Sequence, residues 1–220
     1  MKNDQQDTSR HQGLRKRLVE SIHRKGITDE NVLQAMLKVP RHLFAFDSAL
    51  IERAYDDTAF PIGEGQTISQ PFTVATQSQM LEVKKGEKIL EIGTGSGYQA
   101  AVLNEMGARV FTIERVKLLF QKTKPLLEKL GYTSIKCFYG DGFDGLPTFA
   151  PFDKILVTAA APFIPEKLLE QLKQSGMLVI PVGEGDLQVM KRFTKISASE
   201  IKEEAFDAFR FVPMLPGKKS

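Results

Sequence analysis

Only one cysteine, Cys137, occurs in the 220 residues, so no intramolecular disulfide framework is available. It falls in an apolar stretch and reads as a buried, inert thiol. No run approaches the roughly 18 consecutive apolar residues of a membrane span. The polar start MKNDQQDTSRHQG has no apolar signal-peptide core, so a cytoplasmic address without a membrane partner is expected. Charge of one sign is also scarce, at a net +3. The basic excess at Arg10, Arg15, Lys16, Arg17, Arg24 and Lys25, and again at Lys218 and Lys219, reads as a solvated helix face rather than a nucleic-acid surface. There is no linker, internal repeat or low-complexity tract, and no metal is expected. One domain over residues 1–220 is the consequence.

What is present is a change of period along the chain. Leu14, Leu18 and Ile22, then Val32, Leu33, Met36 and Leu37, predict two amphipathic helices, with Thr28 capping the second and Pro40 ending it. Residues 41–71 show no clear period and read as an irregular covering segment with one more short helix. From residue 88 onward, strands (88–92, 109–113, 134–139, 154–158 and 177–180) alternate with helices (98–106, 116–130 and 166–174). Pro165 suits the last helix's first turn and Gly176 its C-terminal cap. This is the pattern of an α/β protein: a doubly wound, mostly parallel sheet covered on both faces. Two further strands, 188–196 and 205–212, have no helix between them and predict an antiparallel edge pair. The chain thus divides into N-terminal helices and a loop (1–71), an α/β core (72–182) and C-terminal strands with a tail (183–220).

Two runs carry the chemistry. In LEIGTGSGY, residues 90–98, a strand feeds Gly93, Gly95 and Gly97 and then a helix, making a backbone lip for a ligand. Tyr98 stands where the dinucleotide fingerprint needs its third glycine, so a pyrophosphate cradle and a nicotinamide oxidoreductase are disfavoured. Glu91, inside the feeding strand, would repel phosphate but can face an ammonium or sulfonium group. The next strand ends at Glu114, placed to accept from ribose hydroxyls. The third loop brings Asp141 and Gly142 towards an adenine edge. Acidic groups at consecutive strand ends describe a nucleoside with a cationic tail. With VFTIE, PFDKILVTAAAP and LKQSGMLVIPVG, the run resembles the motifs of class I S-adenosylmethionine-dependent methyltransferases, which implies a Rossmann-like sheet and S-adenosyl-L-methionine as cofactor.

The second run, PIGEGQTISQP at 61–71, precedes it. A carboxylate is already ionised near neutral pH, so methylating it needs positioning and exclusion of water rather than a base. A serine hydroxyl suits this, since it can hold one oxygen without quenching the other. Ser69 is the candidate, with Gln66, Thr67 and Ile68 shaping the pocket; Thr67 and Ser69 could equally serve to satisfy turn backbone. The TAAAP run at 158–162 lacks the Pro-Pro-aromatic anchor that base methylation uses.

FPIGEGQTISQP, VPRHLF at 39–44 and RFVPM at 210–214 together resemble the protein-L-isoaspartate O-methyltransferase family. That resemblance implies methyl transfer to the free α-carboxylate of L-isoaspartyl residues in damaged proteins and peptides, followed by collapse to a succinimide. It also implies Ser69 as the active-site serine, a cofactor lining of Gly93, Gly95, Gly97, Glu114, Asp141 and Gly142, and Val212, Pro213 and Met214 flanking the substrate. Family members often work as monomers. A nucleic-acid methyltransferase and a non-catalytic cofactor-binding module are the competing expectations.

Overall fold

The computed structural model describes residues 6–220; residues 1–5 of the expected 1–71 segment lie outside the described residues. Helices α1 (Ser9–Arg24) and α2 (Glu30–Lys38) form as their spacing predicts, burying Leu18, Val19 and Ile22 from the first and Val32, Leu33 and Met36 from the second. The cap of α2 is Asp29, whose carboxylate accepts from Asn31 N at 2.8 Å, and not Thr28. The backbone N–H groups of Thr28 and Asp29 instead donate to Gln79 Oε1 at 2.8 and 2.9 Å. The N-terminal basic residues do not share one solvated face. Arg15 is buried and pairs with Asp7 at 2.8 Å, while Arg10 pairs with Glu52 and Lys25 with Asp57.

Residues 41–71 hold more order than their sequence pattern suggests. Two 3-10 turns, Arg41–Phe44 and Ser48–Arg53, lead into an antiparallel hairpin of β1 (Phe60–Gly63) and β2 (Gln66–Ile68). Glu64 and Gly65 at its tip both have positive φ, 56° and 73°, as the twist of a two-residue hairpin turn demands. A third helix, α3 (Pro71–Met80), follows at once with Pro71 at its first position.

The core is a seven-stranded sheet of β3 (Lys88–Ile92), β4 (Arg109–Glu114), β5 (Lys136–Tyr139), β6 (Phe152–Val157), β7 (Leu172–Val182), β8 (Gln188–Lys195) and β9 (Ile201–Phe209), in the order β5-β4-β3-β6-β7-β8-β9. The first five pair in parallel, and β8 and β9 add antiparallel at the edge. Helices α4 (Tyr98–Glu105), α5 (Lys117–Lys129) and α6 (Glu166–Glu170) link β3 to β4, β4 to β5 and β6 to β7. The last is shorter than the expected 166–174 helix. From Leu172 the chain is already strand, and Gly176 lies inside β7 beside a register shift rather than capping a helix.

Strand alternation splits the core into two layers. Ile89, Val110, Leu156 and Val179 pack with residues of α1 to α5, whereas Leu90, Phe111, Ile155 and Leu178 pack with α6 and the loops of the opposite face. Cys137, on β5, is half-buried, and burial pushes its thiol up to about 11, which leaves it unreactive near neutral pH. The chain leaves β3 towards β4 on one side and returns through β6 on the other. The crevice between the C-terminal ends of these strands is where such a sheet holds a ligand.

Candidate functional site

The lip of this crevice is the loop after β3. Gly93, Gly95 and Gly97 all have positive φ, at 97°, 52° and 86°. A Cβ on Gly93 would stand 2.6 Å from Thr158 Oγ1, so the position excludes any side chain. Hydroxyls from neighbouring elements fix the loop. Thr158 Oγ1 lies 2.9 and 2.8 Å from the carbonyls of Ile92 and Gly93, and Thr123 Oγ1 donates to Gly95 O at 2.6 Å.

Glu114, ending β4, accepts from Gly95 N at 2.9 Å through one oxygen and from Val116 N at 2.8 Å through the other. Burial raises its pKa, opposed by these backbone hydrogen bonds. Each carboxylate oxygen keeps a further lone pair, which matches the two hydroxyls of a ribose. Gly142 closes the third side; a Cβ there would sit 2.4 Å from Ile92 Cγ2.

The opposite wall comes from the hairpin and the C-terminal tail. Residues 66–69 line the cavity, and Ile62 Cδ1 lies 3.5 Å from where a Cβ on Gly95 would be, so β1 packs directly on the glycine loop. The Ser69 side chain has no hydrogen-bond partner among the described residues. Val212, Pro213 and Met214 reach the cavity because Ala160 N donates to Val212 O at 2.8 Å and Met214 N to Ala160 O at 2.7 Å.

Of the residues expected at the site, Gln66, Thr67, Ile68, Ser69, Gly93, Gly95, Glu114, Gly142, Val212, Pro213 and Met214 all line this one cavity. Three do not. Gly97 sits behind the lip, where an added Cβ would meet Thr123 and Leu127 of α5. Asp141 turns from the cavity to accept from Phe143 N at 2.9 Å and Gly217 N at 2.6 Å. Glu91 is fully buried beneath the lip, accepting from Thr112 Oγ1 at 2.5 Å, and Thr112 in turn contacts Thr94 Oγ1 at 2.7 Å. Its other oxygen has no hydrogen-bond partner among the described residues, and burial above all pushes its pKa up to about 8. The expectation that Glu91 faces a cationic ligand as a carboxylate is therefore corrected. It lies on the helix-covered face of β3, in parity with Ile89, and is neutral at physiological pH.

Sequence reasoning missed Thr158, which braces the lip, and Arg115, a lining cation tied to Gly217 O and Pro216 O of the tail. Adjacency to Glu114 could have found Arg115. Elsewhere, Asp7, His11 and His42 form the one group of metal-type donors among the described residues, with ligand atoms within 4.8 Å. Its members are engaged with neighbours: both Asp7 oxygens accept from Arg15 at 3.0 and 2.8 Å, and the two imidazoles lie tilted by 30° with centroids 3.8 Å apart.

This arrangement can bind a nucleoside by its ribose, hold a tail over backbone amides and admit an extended polymer between hairpin and tail. Comparison with known proteins agrees. A family model described as protein-L-isoaspartate(D-aspartate) O-methyltransferase matches residues 13–219. A protein-L-isoaspartate O-methyltransferase of Christiangramia forsetii is 57% identical over 212 residues, covering 96% of this chain and 99% of its own. One from Cytophaga hutchinsonii is 56% identical, covering 96% and 94%. Among solved structures, a protein-L-isoaspartate O-methyltransferase superposes with a TM-score of 0.84 at 28% identity, over 93% of this chain and 67% of that one. A Plasmodium falciparum relative in complex with S-adenosyl-L-homocysteine superposes with a TM-score of 0.80 at 28% identity, over 91% and 98%.

Proposed function

Since this chain belongs to the protein-L-isoaspartate O-methyltransferase family, we infer that its cavity joins a methyl donor to the free α-carboxylate of an L-isoaspartyl residue. The protein is an S-adenosyl-L-methionine-dependent carboxyl methyltransferase acting on damaged proteins and peptides. The cofactor, when bound, supplies an electrophilic methyl group on a sulfonium centre. Glu114 would hold its ribose, the 93–95 lip its amino-acid tail and Gly142 its base edge, a set consistent with the cradle that a side chain at Gly93 or Gly142 would fill.

On this reading Ser69 is the residue that handles the acceptor. Its free hydroxyl on the cavity wall, opposite the glycine lip, is the observation that carries the role. It donates to one carboxylate oxygen and leaves the other to attack. The new oxygen–carbon bond forms as the carbon–sulfur bond breaks, and no proton changes hands. Opposite charges meet and vanish in the transition state, so a site that excludes water accelerates the step. Arg115 lines the cavity with its guanidinium engaged by the tail carbonyls of Gly217 and Pro216. Residues 66–68 and 212–214 would flank the polypeptide on either side. The next backbone nitrogen of the product then displaces methanol, giving the succinimide that opens in part to normal aspartate.

No described helix is long and apolar enough to cross a membrane. On the same reading the enzyme acts as a cytoplasmic monomer and takes no nucleic acid. One incubation tests it, with labelled S-adenosyl-L-methionine and two peptides that differ only in Asp or isoAsp, and RNA and DNA as further acceptors. Label should enter the isoAsp peptide alone and leave as methanol in mild base. Equal labelling of both peptides, or stronger labelling of nucleic acid, would overturn the assignment.

A further inference from the structure

Arg41, within the VPRHLF run, is among the largest fully buried side chains of the protein, with 1% exposure. No carboxylate pairs with it among the described residues. Its Nε donates to Ala54 O at 2.9 Å and its Nη2 to Thr58 O at 3.4 Å; Nη1 has no hydrogen-bond partner among the described residues. The guanidinium lies 4.8 Å from the ring centre of Tyr98. Burial lowers its pKa to about 10, so it stays a cation at neutral pH. Taking an unpaired cation out of water is expensive, and an apolar side chain of similar volume would fill the space without that cost. What the arginine adds over such a side chain is the geometry of its donors.

Its contacts reach both halves of the site. Tyr98 is the first residue of α4, directly after the glycine lip, and lines the cavity. Ala54 and Thr58 bracket the segment that enters β1. Within that segment Asp57 accepts from Phe72 N at 2.8 Å through its side chain and from Gln70 Nε2 at 3.1 Å through its carbonyl. Gln70 is the neighbour of Ser69, and Phe72 belongs to the first turn of α3. One planar group thus stacks on the cofactor side while its in-plane donors hold the segment that anchors the serine loop. Lysine, a flexible point charge, cannot do both. We propose that Arg41 is a positioning residue for methyl transfer, setting the placement of Ser69 relative to the glycine lip. The proposal rests on the methyltransferase reading of the site.

The test compares the parent with Arg41→Ala and Arg41→Lys, each assayed well below its own unfolding midpoint. Both variants should lose about tenfold or more in kcat on an isoAsp peptide, while KM for the peptide and affinity for S-adenosyl-L-homocysteine move by less than about threefold. Free guanidinium in the low millimolar range should restore part of the kcat of Arg41→Ala but not of Arg41→Lys, whose ammonium occupies the space. A normal kcat per folded molecule, with only the unfolding midpoint lowered, would overturn the proposal. Amide exchange reads the same coupling without turnover. Arg41→Ala should raise exchange together in residues 66–70 and 93–98, and a rise confined to 54–58 would equally refute it. A parent inactive on isoAsp peptide would instead count against the functional reading, and the exchange result would still decide the role of Arg41.

Discussion

Replacing Glu91 by Gln asks whether the acidic residue in the strand before the glycine lip is a charge aimed at the cofactor or a neutral part of the core. The side chain has no exposure, and its pKa rises from 4.5 to about 8, first by burial and then by the neighbouring Glu114, against a lowering hydrogen bond from Thr112. In the folded protein Glu91 keeps its proton up to about pH 8, whereas in the unfolded chain it releases it near 4.5. Between those values the folded state binds more protons, so this group makes stability fall as pH rises. A shift of that size corresponds to about 5 kcal/mol over the window, near the whole stability of a small domain. Gln keeps the shape and, through its amide oxygen, an acceptor for Thr112 Oγ1 without the titration. Urea unfolding followed by far-UV circular dichroism, from pH 5 to 9, reads the difference between parent and variant, in which other titrating groups cancel. The two should agree within about 1 kcal/mol at pH 5, and the variant should be the more stable by several kcal/mol at pH 9. Methyl transfer at pH 7 should change by less than about threefold, since the parent residue is neutral there. An identical pH slope in both proteins, or a cofactor affinity reduced about tenfold at pH 7, would refute the reasoning and restore Glu91 as a carboxylate facing the ligand.

Ser69→Ala should lower kcat by about 10- to 100-fold and leave S-adenosyl-L-homocysteine affinity, by calorimetry, nearly intact; an unchanged rate would remove the hydroxyl from the mechanism. Glu114→Gln should weaken S-adenosyl-L-homocysteine binding by about tenfold or more. The amide's NH2 would oppose either Gly95 N or Val116 N, which now donate to the carboxylate at 2.9 and 2.8 Å. Unchanged affinity would show that the ribose is held elsewhere.

What was legible in the sequence, and what was not, follows from how each residue type is constrained. The glycine lip could be read because positive φ and a 2.6 Å approach to Thr158 leave no other residue possible there. The alternating strands could be read because the central ones, β3, β4 and β6, are apolar over most of their length and buried on both faces. Helix α3 escaped because burial there is not confined to apolar residues. Gln77 and Ser78 are fully buried, the first donating to Val157 O at 2.9 Å and the second accepting from Gln99 Nε2 at 2.9 Å. An apolar-face count cannot see a helix whose inner face buries polar side chains that hydrogen-bond to neighbouring elements. The hairpin was hidden for a related reason: its strands are only four and three residues long, too short to show a period.

The two displaced acids, Glu91 and Asp141, expose a different limit. Glu91 lies in its strand and Asp141 in the loop after β5 as expected, but the direction of each side chain differs from the expectation. For Glu91 parity was sufficient: two residues from Ile89, it must point under the helices, while a ligand at the strand tip is reached from the loop beyond. For Asp141 nothing local could tell, because its second oxygen is taken by Gly217, 76 residues away. The serine loop shows the same dependence on distant chain. Asp57 holds the residues beside Ser69, and the segment around Asp57 is itself held by Arg41. The local motif names the chemical group, and the long-range hydrogen bonds decide whether that group faces the reaction.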